Sequence, residues 1–187
     1  SAINNFFCKN KDKISNDSLF FLYFGEPNCR YLVDDNYYPF KKNIDLWKNY
    51  KNNDKKLKIL DDLINNYDKI INAMEKYTKN YFIITPTTGF FPSLFYMNYF
   101  NKLLKDRYKM KIINIYDKVI NEDGLVDNHY LNEDIQYDPI HLNNNISELF
   151  LDTLESRNII NDKNIYINTD YHNKNFTKHR KFNTYII

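Results

Sequence analysis

Two short unbroken apolar runs on either side of a long stretch in which apolar residues recur every three or four places limit this chain to very few folds. Ser18-Leu19-Phe20-Phe21-Leu22-Tyr23-Phe24, closed by Gly25, reads as a strand buried on both faces. From Leu57 onward, Leu60, Leu63, Ile64, Tyr67, Ile70, Ile71, Met74 and Tyr77 form the stripe of an amphipathic helix. Tyr81-Phe82-Ile83-Ile84-Thr85 is a second buried strand, stopped by Pro86 and Gly89. A second helix carries Leu94, Met97, Phe100, Leu103 and Leu104 on one side, and Lys111 to Tyr116 reads as a third strand. Strands alternating with crossover helices imply a parallel sheet with right-handed connections, an α/β layered architecture. Binding sites in such sheets form beyond the carboxyl ends of the strands. The segments to watch are therefore Gly25 to Arg30, expected as a loop, Thr85 to Gly89, and Asp117 onward.

At 187 residues the chain fits one domain, placed at 1–160. Residues 161–187 form a C-terminal extension, with Ile165-Tyr166-Ile167 a candidate edge strand and Asn168 to Arg180 a polar tail. The formal charge of +2 arises from acids and bases spread evenly along the chain, which gives no basic face for nucleic acid or an anionic membrane. Only Cys8 and Cys29 are present, too few for a disulfide framework, so a reducing, cytoplasmic setting is expected. No apolar run approaches the roughly 20 residues that span a bilayer, and the first residues lack the pattern of a secretion signal. The many tyrosines sit at helical and strand positions, where they pack as half-buried rings and do not form a base-stacking platform.

Tyr137-Asp138-Pro139-Ile140-His141-Leu142-Asn143 is the segment that looks like chemistry. An acid and an imidazole three residues apart on a Pro-containing turn can meet, so that Asp138 fixes the tautomer of His141 and His141 serves as a general base. The plainer alternative is an Asx-type turn at Asp138 beside an ordinary histidine. The turn leads into a last helix through Ile146, Leu149, Phe150 and Leu154, with Asn145 as N-cap and Glu148 echoing a capping box. His129, Asp134, Asp138 and His141 are metal-ligand types at loose spacing, with no His-Glu-x-x-His or cysteine cluster, so neither metal nor cofactor is expected. Glu26 and Arg30 can bind a hydroxylated or anionic substrate, or pair with each other. Ser93, at the head of a helix, reads first as a cap.

The strand ending in Phe24-Gly25-Glu26-Pro27-Asn28-Cys29-Arg30, the helical middle, Asp123-Gly124-Leu125 and the Asp138-to-Asn143 turn together resemble the SGNH (GDSL-like) hydrolase superfamily. The chain is most similar to a branch with a Phe-Gly-Glu-x-Asp-Cys-Arg loop, and the resemblance runs from about Leu19 to Leu154. It implies a three-layer, flavodoxin-like fold and acyl-ester chemistry: a serine attacks, His141 takes its proton, and Asp138 orients His141. The Gly25 loop, with Glu26, Asn28 and Arg30, would serve the oxyanion or substrate. The family's oxyanion asparagine usually stands where this chain has Pro27, and Asn28 follows one place later. The Gly-Asp-Ser block has no counterpart among the three glycines, Gly25, Gly89 and Gly124. The expectation is that the chain carries the Asp/His part of the triad and needs a serine from an upstream segment, a lost serine and substitution by Cys29 being the other routes. The substrate would be a small acyl ester or an acylated glycan, hydrolysed or transferred. The alternative is a catalytically inactive α/β module that binds a glycan or a protein partner.

Overall fold

A computed structural model of the chain describes residues 2–12, 14–15, 18–33, 54–89, 93–132, 141–160 and 184–186. The strands are β1 (Leu19–Leu22), β2 (Tyr81–Ile84), β3 (Ile112–Ile113) and β4 (Thr184–Ile186). The α-helices are α1 (Ala2–Asn10), α2 (Glu26–Tyr31), α3 (Asp54–Met74), α4 (Leu94–Tyr108), α5 (Tyr116–Val119) and α6 (Asn145–Ser156). All pairings are parallel, in the order β3-β2-β1-β4, with Phe21 opposite Phe82 and Ile84 opposite Ile113. The mixed α/β class with a parallel sheet is thus as the periodicity requires. Among the described residues no helix is long and apolar enough to cross a membrane.

β1, β2 and β3 are apolar on both sides because each side meets helices. Phe20, Leu22, Tyr81, Ile83 and Ile112 point into a core that includes Phe7 of α1, Cys29 of α2, Leu60, Ile64, Tyr67, Ile71 and Met74 of α3, and Phe100 and Leu104 of α4. Phe21, Ile84 and Ile113 face the other way and pack with Ile115, Val119 and Leu154, and the Phe150 ring of α6 meets Phe21 edge-on at 5.3 Å. Burying one such side chain contributes roughly 2 kcal/mol, which is why this period survives a surface so rich in Asn and Lys. The seam between α3 and α4 is tied by phenol-to-carboxylate bonds, Tyr99 to Asp61 at 2.9 Å and Tyr108 to Asp68 at 2.7 Å, with Arg107 beside Asp68.

Several expectations need correction. The third strand was expected over Lys111 to Tyr116 and pairs only at Ile112–Ile113. The Thr85 hydroxyl accepts from the N–H groups of Ile115 and Tyr116 at 2.8 and 2.9 Å, which takes these donors out of the ladder and starts α5. Gly25 to Arg30 is not a loop. Glu26 begins α2, with Pro27 in the first turn where its missing N–H is harmless, and Cys29 donates to the Gly25 carbonyl at 3.0 Å. Helix α3 starts at Asp54 and ends at Met74, so Tyr77 leaves the stripe and its exposed ring stacks on Phe7 at 4.7 Å. Asn145 is the first residue of α6 and not its cap. Asn144 holds that place without a side-chain bond, and Asn143 Oδ1 takes the Asn145 N–H at 3.0 Å. The candidate strand Ile165–Ile167 and the polar tail lie outside the described residues, and the edge strand beside β1 is Thr184–Ile186.

At Gly25 the chain turns out of β1 with φ +105°, a backbone region closed to most L side chains. A Cβ there would fall inside the edge of the Phe100 ring, with Cδ1 and Cζ at 3.0 Å. Gly25→Ala should therefore lose about 3 kcal/mol, combining left-handed strain with overpacking. Phe100→Leu in the same chain should return part of it by relieving the clash alone. Urea unfolding of the single and double variants checks this, and an unchanged midpoint for Gly25→Ala would contradict the close approach.

Candidate functional site

The carboxyl ends of β1 and β2 are fixed against each other by a short set of bonds. Tyr23 Oη donates to the Thr87 carbonyl at 3.0 Å, and Tyr67 Oη donates to the Phe24 carbonyl at 3.1 Å. Asn101, buried on α4, gives Nδ2 to the Pro86 carbonyl at 2.9 Å. Thr85, Thr87 and Thr88 are buried in the turn that results. In the order β3-β2-β1-β4 the strand sequence reverses beside β1. Ligands of doubly wound sheets bind at such a reversal.

Glu26 occupies this edge at the start of α2, its side chain only 12% exposed. Arg30 lies one turn on, with Nε 3.2 Å from Oε1 and Nη2 donating to Oε2 at 3.4 Å, and the Thr88 side chain also hydrogen-bonds the carboxyl. Of the two readings open for Glu26 and Arg30, the mutual pair is present. The Nε–Oε1 approach is close in distance yet off the N–H axis, so it is a charge contact and neither atom is hydrogen-bonded, although both are buried. Burial raises the Glu26 pKa above the glutamate value of 4.5. Arg30, Thr88 and, last, the charge of His141 oppose that rise without cancelling it. An imidazole late in the chain thus acts on a carboxyl of the first strand-to-helix turn. His141 itself is exposed.

Thr87 Oγ1 and Asn101 Oδ1 are also buried without a hydrogen-bond partner among the described residues. With Glu26 Oε1 and Arg30 Nε they make four such atoms on the carboxyl side of β1 and β2. An unsatisfied buried polar atom costs about 1–3 kcal/mol, so a concentration of them marks a region selected for something besides stability. Sequence reasoning marks the segment Thr85 to Gly89, which holds Thr87 and Thr88, but not Asn101. The available signal was a polar residue at 101 on the helical stripe of Met97, Phe100 and Leu104, which are all buried. Beyond the end of β3, Leu94, Phe95, Tyr116 and Ile120 line a mainly apolar recess of about 340 Å³, with Asn98 and Asp117 also in its wall.

The remaining sequence candidates fall as follows. Asp138 and Asp134 lie outside the described residues. Asn28 is on the exposed side of α2. Cys29 is 0% exposed, and burial first, then Glu26, pushes its thiol well above the ordinary range, so it does not serve as the substitute nucleophile. Ser93 is fully buried at the head of α4 and makes no capping bond. Exposed His129 donates its N–H to Asp127 Oδ1 at 2.8 Å, and no described group of His, Cys, Asp or Glu is placed to hold a metal ion. Comparison of the chain with protein-family models, curated proteins and solved structures gave no match.

Two outcomes are expected. Between 4.5 and its raised folded value, native Glu26 binds protons that the unfolded chain has released, so stability falls as pH rises through that window. Glu26→Gln removes this titration and should gain on wild type as solution goes from acid to neutral, read as the difference in urea midpoints. A pH-independent difference would contradict the raised value. Thiol titration should find one reactive group in the folded chain, exposed Cys8, and both only after unfolding.

Proposed function

We propose that this chain is an SGNH-like acyl-ester hydrolase or acyltransferase with a flavodoxin-like sheet, acting on a small acyl ester or an acylated glycan. The observation that carries the reading is the buried Glu26–Arg30 pair at the turn from β1 into α2, with the charge of His141, far away in sequence, lowering the Glu26 pKa. In the proposed reaction a serine supplied by an upstream segment attacks the ester carbonyl. His141 accepts the hydroxyl proton and returns it to the departing alcohol, and Asp138 holds the ring. Glu26, kept close by Arg30 and Thr88, receives the substrate's hydroxyls or steadies the imidazolium. The apolar recess beyond β3 suits a short acyl group.

The sealed state of Cys29 and Ser93 favours a second reading. A non-catalytic α/β module that uses the same polar edge to hold a glycan or a protein partner needs no nucleophile. Hydrolysis of short-chain acyl reporters by wild type and His141→Ala, each in the longest natural reading frame so that an upstream serine is included, separates the two. The hydrolase reading expects His141→Ala to lose at least about a hundredfold in kcat/KM. Equal rates would remove His141 from the chemistry, and absence of turnover in the wild-type chain alongside saturable glycan binding would leave the module.

A further inference from the structure

The segment that carries His141 is held by one carboxamide. Asn143 Nδ2 donates to the carbonyls of His129 at 2.7 Å and Leu131 at 3.0 Å. Its Oδ1 accepts from the N–H of Asn145 at 3.0 Å, and its own N–H donates to the Tyr130 carbonyl at 2.9 Å. Both amide protons and the amide oxygen are thus in use. Leu142, the residue between, pairs with Leu131 in an antiparallel bridge and packs half-buried on the main core. Asn145 adds a second bond to the His129 carbonyl at 2.8 Å.

The turn that receives these bonds is itself anchored to the sheet. Asp127 accepts the His129 N–H through its side chain and donates its own N–H to the Val119 carbonyl at 2.8 Å, at the end of α5. Helix α5 in turn begins on the Thr85 hydroxyl at the exit of β2. A continuous series of short polar contacts therefore runs from the strand edge that bears Thr85 to Thr88, through α5 and the 127–131 turn, to the backbone two residues past the imidazole. His141 is exposed, and these bonds fix the backbone two residues beyond it.

We propose that Asn143 is the positioning residue for His141: its carboxamide clamps the outgoing side of the histidine turn to the 129–131 carbonyls and so aims the imidazole at the Glu26 edge. This rests on the role given to His141 above. The arrangement asks for two donors and one acceptor on a side chain of asparagine length. Aspartate keeps the shape and the acceptor but loses both donors and sets a negative charge against two carbonyls. Alanine loses all three bonds, and serine retains one donor on a shorter arm.

The test reads the Glu26 carboxyl by carbon-detected NMR titration of the whole chain, with circular dichroism and thermal melts reporting folding. His141→Ala should move the Glu26 midpoint upward, since the imidazolium charge lowers it. Asn143→Asp and Asn143→Ala should remain folded and shift the midpoint in the same direction as His141→Ala. Asn143→Ser should fall between, and the double variant His141→Ala/Asn143→Ala should show nothing beyond His141→Ala alone. Turnover of acyl reporters should drop in kcat with KM held. A Glu26 midpoint that stays at its wild-type value in the Asn143 variants while His141→Ala moves it overturns the clamp and leaves the hydrolase reading standing. A shifted midpoint with no ester turnover even in the longest natural reading frame keeps the clamp and removes the hydrolase. If His141→Ala leaves the midpoint unmoved, both fall.

Discussion

The close approach of Gly25 to the Phe100 ring sets the geometry from which the rest follows. Because no Cβ intervenes, α4 can lie directly over the exit of β1, and the chain can reverse with φ +105° into α2. That reversal puts Glu26 and Arg30 over the edge of the sheet and Cys29 into its core. Phe100 is followed by Asn101, whose amide holds the Pro86 carbonyl, so the same helix that accepts Gly25 also shapes the turn after β2. A larger residue at position 25 would push α4 away and loosen both strand exits together.

The edge is organised by polar groups to an extent that stability alone does not explain. Glu26 is held partly out of water against an arginine whose Nε reaches it off-axis, and a threonine hydroxyl and an asparagine carbonyl beside it are buried without hydrogen-bond partners among the described residues. Burial raises the Glu26 pKa, and Arg30, Thr88 and His141 restore it only in part, a perturbation of the kind that clusters at functional sites. Strain and unsatisfied groups of this kind gather at functional sites because the surrounding fold over-determines them.

The sequence made some of this legible and hid the rest for identifiable reasons. β1, β2, α3, α4 and α6 follow from hydrophobic periodicity, since each has a run or stripe long enough to stand out from an Asn- and Lys-rich background. β3 was overextended because Ile115 and Tyr116 have strand-like side chains while their N–H groups are captured by Thr85, a tertiary event no local pattern reports. Gly and Pro punctuate α2 and give it the look of a loop in sequence, although Pro in a first turn is a starting signal. β4 becomes a strand only by pairing with β1, and three residues carry too little pattern to declare it. The residue types of Glu26 and His141 are legible as a pair of motifs, whereas the pull of the His141 charge on Glu26, the burial of Cys29 and the bonds made by Asn143 depend on how distant segments meet.

The proposal that the first strand-to-helix turn and the histidine turn meet is most directly tested by a distance trap. In a Cys8→Ser background, where Cys29 is sealed in the core, the pair Glu26→Cys and His141→Cys should be joined within one molecule by a short bifunctional thiol reagent. Mass spectrometry of the dilute, folded protein should find a single bridge per chain that links those two positions. Two separately modified thiols with no bridge, under conditions where the protein remains folded, would place the imidazole elsewhere and contradict a shared cleft.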